Sequence, residues 1–346
     1  MTQLLSQAHG LCIGVAGYQF YRPLVNTVHD ASDISAALKD PQLCAYPTDQ
    51  VTLLSDAQAT RANILAALDQ LATRTTPDSI VFVFYAGHGK RIDSGPLRGE
   101  YLLPVDAQKS DNADAFRNSV ISGEEFGAKL KAIKAQKLVV VLDCCHAEGV
   151  GLLRDAEGNP LREGLSEDYL SRLAAGSGRV VLAAAGSTEY ASDGSGRNGL
   201  FTGHLLAGLR GGAGGNDAFI HIFDLYNYIQ PRVVKERPTQ NPVFKAELRE
   251  DFAVAMRLGG RGDGPLPPAK GTTRPADSYT RAEVYRLMCR LLPSQFEELL
   301  FLLDIPVHFL PSQNSPQSMR ASEVIKLVEQ PSGIGLPKLV EALPFR

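Results

Sequence analysis

The chain has no clustered stripe of lysine and arginine, no basic leader in its opening MTQLLSQAHGLCIGVAG, and no apolar run approaching the ~20 residues of a bilayer span. Its 35 Lys and Arg face 38 Asp and Glu, a formal charge of −3. Proteins that bind nucleic acid usually carry a basic excess that displaces counterions from phosphates, so no nucleic acid is expected as a partner. The lack of an apolar span predicts no membrane partner and a cytoplasmic location. Cysteine is sparse: Cys12, Cys44, Cys144, Cys145 and Cys289 are odd in number and scattered, which excludes a disulfide framework and suits a reducing compartment. What remains, 44% hydrophobic and 21% charged residues, is ordinary globular composition in a chain long enough for more than one domain.

Two stretches stand out. Lys137 to Gly149 reads KLVVVLDCCHAEG. Leu138 to Leu142 has no polar face, as expected of a strand covered on both sides in a parallel sheet. Asp143, Cys144, Cys145 and His146 follow at its carboxyl end, where α/β sheets commonly place their chemistry. Ser79 to Gly89, SIVFVFYAGHG, repeats the grammar with Gly87, His88 and Gly89 at its end. A thiol and an imidazole on two buried strands suggest a nucleophile and its base. Neighbouring residues of a strand point to opposite faces, so Cys144 and Cys145 do not share a face, and Cys144 is expected to pack inward. His146 is read as a helix-start or packing residue, with a second base as the alternative. A zinc site at Cys144, Cys145 and His146 does not match the usual ligand spacing and lacks a fourth ligand.

Strand signals at Leu11–Ala16, Val51–Leu54, Ile80–Tyr85, the cysteine strand, Val180–Ala185 and Asn241–Leu248 alternate with helical periodicity at Thr27–Lys39, Ala59–Thr73, Ser122–Lys134, Leu200–Leu209 and His221–Lys235. Such alternation predicts an α/β fold, a mostly parallel sheet with helices on both faces. Glu100–Val105 reads as a hairpin or edge piece, since Pro104 lacks a donor. Between Glu148 and Arg179 lies a long polar connection. Residues 258–276 are rich in Gly and Pro and predict a linker between a first domain, 1–257, and a second, 277–346. The second carries apolar residues every three to four positions and is expected to form a small all-α bundle of four short helices.

The YAGHG at Tyr85 and the DCCHAEG at Asp143, on buried strands in this order, together with GSTEYASD and GLFTGHLL further on, resemble the caspase and metacaspase clan of cysteine peptidases, most closely its prokaryotic members. The resemblance runs from about Leu11 to about Leu248. His88 precedes Cys145 by 57 positions, near the roughly fifty described for caspases. Ala147 and Glu148 stand where metacaspases commonly have Ser-Gly. The resemblance implies Cys145 as nucleophile, His88 as catalytic histidine, and the N–H groups of Gly89 and Cys145 as oxyanion hole. It also implies Asp143 and Asp30 as acids of the primary specificity pocket, with Glu189 the candidate for a further wall acid. Two carboxylates suit a guanidinium, so cleavage is expected after Arg, less well after Lys, and not after Asp.

An enzyme with that preference would cut itself in the connection after Arg154, Arg162 or Arg179; the alternative is a merely solvated loop. Asp30 has a structural reading too, as an acid at a helix start. No cofactor is expected. No calcium requirement is expected either, because Asp106, Asp111 and Asp114 are strung along a loop and do not form a dense cluster. The C-terminal segment resembles the helical effector-associated domains beside bacterial conflict-system enzymes. That implies a partner protein with a similar helical domain, a sensor or regulator in an antiviral defence or programmed-death pathway, besides the protein substrate. The rival reading is a pseudoenzyme acting as an adaptor through 279–346. A third is a different thiol hydrolase on the same scaffold.

Overall fold

The computed structural model describes residues 5–146, 165–186, 196–214, 218–248, 250–256 and, with short gaps, 279–343; at Cys145 and His146 it describes the backbone alone. The chain divides into two units, Met1–Gly262 and Asp263–Arg346, and the division falls inside the Gly/Pro-rich stretch.

The first unit runs β1 (Ala8–Gly14), α1 (Thr27–Lys39), β2 (Val51–Ser55), α2 (Arg61–Arg74), β3 (Ile80–Ile92), β4 (Gly99–Leu102), α3 (Ala113–Ser119), β5 (Ile121–Ser122), α4 (Gly123–Ala132) and β6 (Lys137–His146). It continues with α5 (Glu167–Ala174), β7 (Arg179–Ala183), α6 (Leu200–Ala207), β8 (Phe219–His221), α7 (Ile222–Glu236), β9 (Val243–Glu247) and β10 (Ala253–Met256). The main sheet has the order β2-β1-β3-β6-β7-β9. Its pairs are parallel except the last, where β9 runs against β7. This is the mostly parallel α/β sheet that the alternation predicts.

Local chemistry places the helices. The Thr60 hydroxyl accepts the Asn63 N–H at 3.3 Å and opens α2, and the Ser122 hydroxyl accepts the Glu125 N–H at 3.1 Å and opens α4. Ile64, Leu68, Phe126, Leu130, Tyr169 and Leu173 from α2, α4 and α5 bury one sheet face against Val83, Tyr85, Val140 and Leu142. Each such side chain contributes about 1.5–3 kcal/mol by leaving water. On the other face α1 lies close to β1. A Cβ on Gly14 would sit 2.6 Å from the Thr27 carbonyl oxygen and 2.8 Å from the Ala31 Cβ, so only glycine permits this approach.

Several elements differ from the sequence expectation. Strand β3 does not end at Tyr85: it continues through the GHG, because β6 pairs it as far as Gly89 and β4 pairs its last four residues antiparallel. The expected long connection ends early. Ser166 caps α5 by accepting the Tyr169 N–H at 3.3 Å, and Tyr169, Leu170 and Leu173 are buried; this short stripe was masked by the acids around it. Helix α3 and the antiparallel β8–β10 pair were likewise unforeseen, being too short for periodicity to register. Arg179 is the first residue of β7, in register with Leu138 on one side and Glu247 on the other, and its guanidinium donates to the Leu130 carbonyl. A bond built into a sheet on both sides is not presented to a protease, which corrects its place among the self-cleavage candidates.

The second unit contains α8 (Arg281–Cys289), α9 (Pro293–Leu302), α10 (Gln317–Val328) and α11 (Gly335–Ala342). Val284, Met288, Phe296, Leu299, Val324 and Leu339 belong to its own apolar core. Phe301, Leu302 and Met319 are exposed.

Burial also sets one acid-side limit on stability. His9 in β1 is 3% exposed, and its Nδ1 has no hydrogen-bond partner among the described residues. Burial first, then the Arg74 charge, lowers its pKa from the ordinary 6.5. The unfolded chain therefore binds a proton that the folded chain refuses, and stability falls as pH drops below 6.5 toward the lower folded value. Thermal unfolding at pH 7 and pH 5 is expected to show a larger loss of Tm in the wild type than in His9→Gln.

Candidate active site

His88 is fixed through its backbone and its ring. Its N–H donates to the Tyr18 hydroxyl at 2.8 Å, and its carbonyl accepts from the Leu103 N–H at 3.0 Å and the Tyr85 hydroxyl at 2.9 Å. The Leu103 carbonyl in turn accepts from the Tyr18 hydroxyl at 2.9 Å and shares the single Tyr85 hydroxyl proton with the His88 carbonyl, its oxygen lying 2.8 Å from that hydroxyl. Burial holds the Tyr85 phenol well above its ordinary pKa of 10.0, so it stays a donor. Gly87 makes room for this: a Cβ there would lie 2.8 Å from each hydroxyl oxygen.

The imidazole is 4% exposed, with the Tyr18 ring centroid 4.7 Å away and that of Tyr21 at 6.3 Å. Its Nε2 lies 2.7 Å from the Arg22 carbonyl oxygen. A carbonyl only accepts, so Nε2 carries the proton, and in the neutral ring Nδ1 holds the lone pair. The ring is thus set as a base through Nδ1.

Strand β6 runs parallel beside β3, and the register places Ala86 beside Asp143, Gly87 beside Cys144, His88 beside Cys145 and Gly89 beside His146. Alternation puts positions 143 and 145 in one phase of the pleat and 144 in the other. Cys144 is buried in the core with Tyr85 and Tyr169, as expected. Cys12 and Cys44 are also buried and free; burial pushes the Cys12 thiol up to about 12 and Cys44 higher still, so neither is a nucleophile.

The two expected pocket acids meet the same helix turn. Asp30, in the first turn of α1 and 2% exposed, accepts the Gly199 N–H at 3.0 Å, and Asp143 accepts the Thr202 hydroxyl at 2.6 Å. Gly199 and Thr202 belong to the start of α6. Asp33, one turn beyond Asp30, accepts from Arg197 Nε and Nη2 and from the Asn198 side-chain amide. Those bonds hold its carboxyl below the ordinary carboxylate value. Glu189, Arg154 and Arg162 lie outside the described residues, as do the side chains of Cys145 and His146. Of the loop acids weighed for calcium, Asp106 accepts the Arg61 N–H and Asp114 pairs with Arg117.

The profile of the peptidase C14 family, described as a caspase domain, matches residues 8–253. The chain belongs to the caspase-domain family. Its relatives include metacaspase-1A of Neurospora crassa, 27% identical over 205 residues, which are 56% of this chain and 41% of that protein. Metacaspase-1 of Cryptococcus neoformans is 25% identical over 42% of this chain and 33% of its own length. A Trypanosoma brucei relative, 28% identical over 40% of each chain, is named inactive metacaspase-4. The chain spans less than half the length of these relatives. A crystal structure of a Geobacter sulfurreducens protein shares the fold with a TM-score of 0.51 and 19% identity, over 71% of this chain and 95% of that one.

Within this caspase domain, sequence reading missed Tyr18, Tyr85 and the Arg22 carbonyl. Tyr18 and Arg22 lie about seventy positions from His88 in a loop whose shape no local pattern reveals. Tyr85 reads locally as one more residue of the buried strand; the available signal was a hydroxyl at the end of an otherwise apolar run. Tyr18→Phe would leave the buried His88 N–H without its acceptor, at a cost of about 1–3 kcal/mol. Urea denaturation is expected to show a loss of that size.

Proposed function

We propose that this chain is a cysteine endopeptidase that cleaves proteins after basic residues, Arg before Lys. The observation that carries the reading is the β3–β6 ladder, which sets His88 beside Cys145 while the Arg22 carbonyl holds Nε2 and leaves Nδ1 as base. In this mechanism Nδ1 takes the Cys145 proton and the thiolate attacks the scissile carbonyl carbon. The carbonyl electrons move onto oxygen, which the Gly89 and Cys145 N–H groups stabilise. Collapse expels the amine, which takes the proton from Nδ1 and leaves an acyl-enzyme. Water then gives a proton to Nδ1 and attacks the acyl carbon, and collapse returns the proton to Cys145 as the acid departs.

Asp30 and Asp143 bind the substrate's basic side chain in this reading. The support is their shared attachment to the first turn of α6, which draws two carboxylates toward one place. A guanidinium offers paired donors to such a site, whereas an ammonium is a single point of charge. Self-cleavage, if used, falls after Arg154 or Arg162, and Glu189 remains the candidate wall acid. The second unit recruits the peptidase to a partner with a similar helical domain, a sensor or regulator in a defence or programmed-death pathway as the resemblance implies; exposed Phe301, Leu302 and Met319 favour such a role. The adaptor reading keeps a place because one relative is named inactive.

Fluorogenic peptides ending in Arg, Lys or Asp, assayed on the wild type and on Cys145→Ala, test the reading. Turnover is expected with Arg, less with Lys, none with Asp, and none in the variant; preference for Asp would sink the basic pocket. Asp143→Asn is expected to lower kcat/KM on the Arg peptide by roughly ten- to a hundredfold, the worth of one charged hydrogen bond. Mass spectrometry of the fully active protein decides on self-cleavage: an intact chain excludes it as a requirement.

A further inference from the structure

The proton on His88 Nε2 is held by a loop, not by the sheet. That loop leaves β1 and carries Tyr18, Tyr21 and Arg22 before α1 begins. We propose that Asp56 is the positioning residue for this loop, and that through the Arg22 carbonyl it fixes the tautomer and basicity of His88. The proposal rests on the reading of His88 and Cys145 as a catalytic pair.

Asp56 follows β2 directly, and the β1–β2 register sets Gly14 beside Ser55, so Asp56 arrives where the loop departs. One oxygen, Oδ1, accepts the N–H groups of Ala16 at 2.7 Å and Gly17 at 2.8 Å. The Ala16 carbonyl accepts the N–H groups of Tyr18 at 3.1 Å and Leu24 at 3.0 Å. Residue 16 is therefore the knot on which both ends of the 16–24 loop close, and Asp56 ties it to the sheet. An ionised carboxylate is a stronger acceptor for paired N–H groups than a neutral carbonyl.

Asp56 reaches His88 by a second route as well. Its own carbonyl accepts the Ala59 N–H at 2.7 Å, and the Ala59 carbonyl accepts the Val105 N–H at 3.0 Å. Val105 lies two residues after Leu103, whose N–H holds the His88 carbonyl. Asp56 also has φ of +41°, a left-handed conformation uncommon for a residue with a side chain, and one that Asp and Asn tolerate better than most. The turn keeps this conformation while delivering the carboxylate to two adjacent donors. Lysing that tie frees the Arg22 carbonyl, so that Nε2 loses its acceptor, the imidazolium loses stabilisation, and the neighbouring thiol holds its proton to higher pH.

The test reads the pH dependence of Cys145 alkylation by iodoacetamide, located by peptide mass mapping, in the full chain. It needs no peptide turnover. Four proteins are compared: wild type, Asp56→Asn, Asp56→Gly and His88→Ala. Glycine adopts the left-handed conformation freely and removes the whole side chain; asparagine keeps a weaker acceptor in the same place. The wild-type midpoint is expected below the ~8.5 of an ordinary thiol. Asp56→Gly should raise it by about one unit, a roughly tenfold slower reaction at a fixed pH beneath the midpoint. Asp56→Asn should fall between, and His88→Ala should shift furthest. A folded Asp56→Gly with the wild-type midpoint overturns the proposal while the pair stands, as does an Asn variant shifted as far as Gly. A midpoint unmoved in His88→Ala overturns the pair itself, and the proposal with it.

Discussion

Ten backbone rungs join β3 to β6, from Ile80 beside Lys137 to Gly89 beside His146, and everything at the candidate site depends on that ladder. Its lower part is a sheet buried on both faces whose apolar residues fix the register, since a slip of one residue would move Val140 and Leu142 from the face packed by α2, α4 and α5 to the opposite one and mismatch both layers. The same register, carried past the apolar run, brings His88 beside Cys145. Hydrophobic burial thus sets the alignment of polar residues that take no part in the burial.

The extension of the ladder beyond the core creates a second demand. The His88 N–H and carbonyl and the Leu103 carbonyl are buried at this end of the sheet, and an orphaned group there costs about 1–3 kcal/mol. Two tyrosine hydroxyls and the start of the segment after β4 meet that demand. Gly87 is small because both hydroxyls need its space. The acids on the opposite side follow a similar logic: Asp30 and Asp143 are held by the donors at the start of α6, a helix end that presents free N–H groups and favours negative charge.

Much of this was legible. Two-sided apolar runs announced β3 and β6, and the Gly/Pro-rich stretch holds the division between the units. Strand alternation set Cys144 and Cys145 on opposite faces, and Cys144 is buried as expected. Helices α3 and α5 and the β8–β10 pair are too short for a period to stand out, and the continuation of β3 through GHG depends on partners, β6 and β4, that no local window contains. Arg179 looked like part of a loop because strand β7 opens on a charged residue.

The sequence by itself determined the layered α/β plan and the family resemblance, and it nominated His88, Cys145, Asp30 and Asp143 as site residues, because apolar periodicity and motif order are local properties of the chain. Tertiary structure decided what surrounds them: which nitrogen of His88 bears the proton, which tyrosines hold its backbone, and which helix turn the acids share. Tyr18, Arg22 and Asp56 reach the site only when a loop between β1 and α1 folds back over β3, tied by hydrogen bonds between residues some forty to seventy positions apart. Such contacts leave no periodic trace, since each is a single polar pair selected by the geometry of the folded chain.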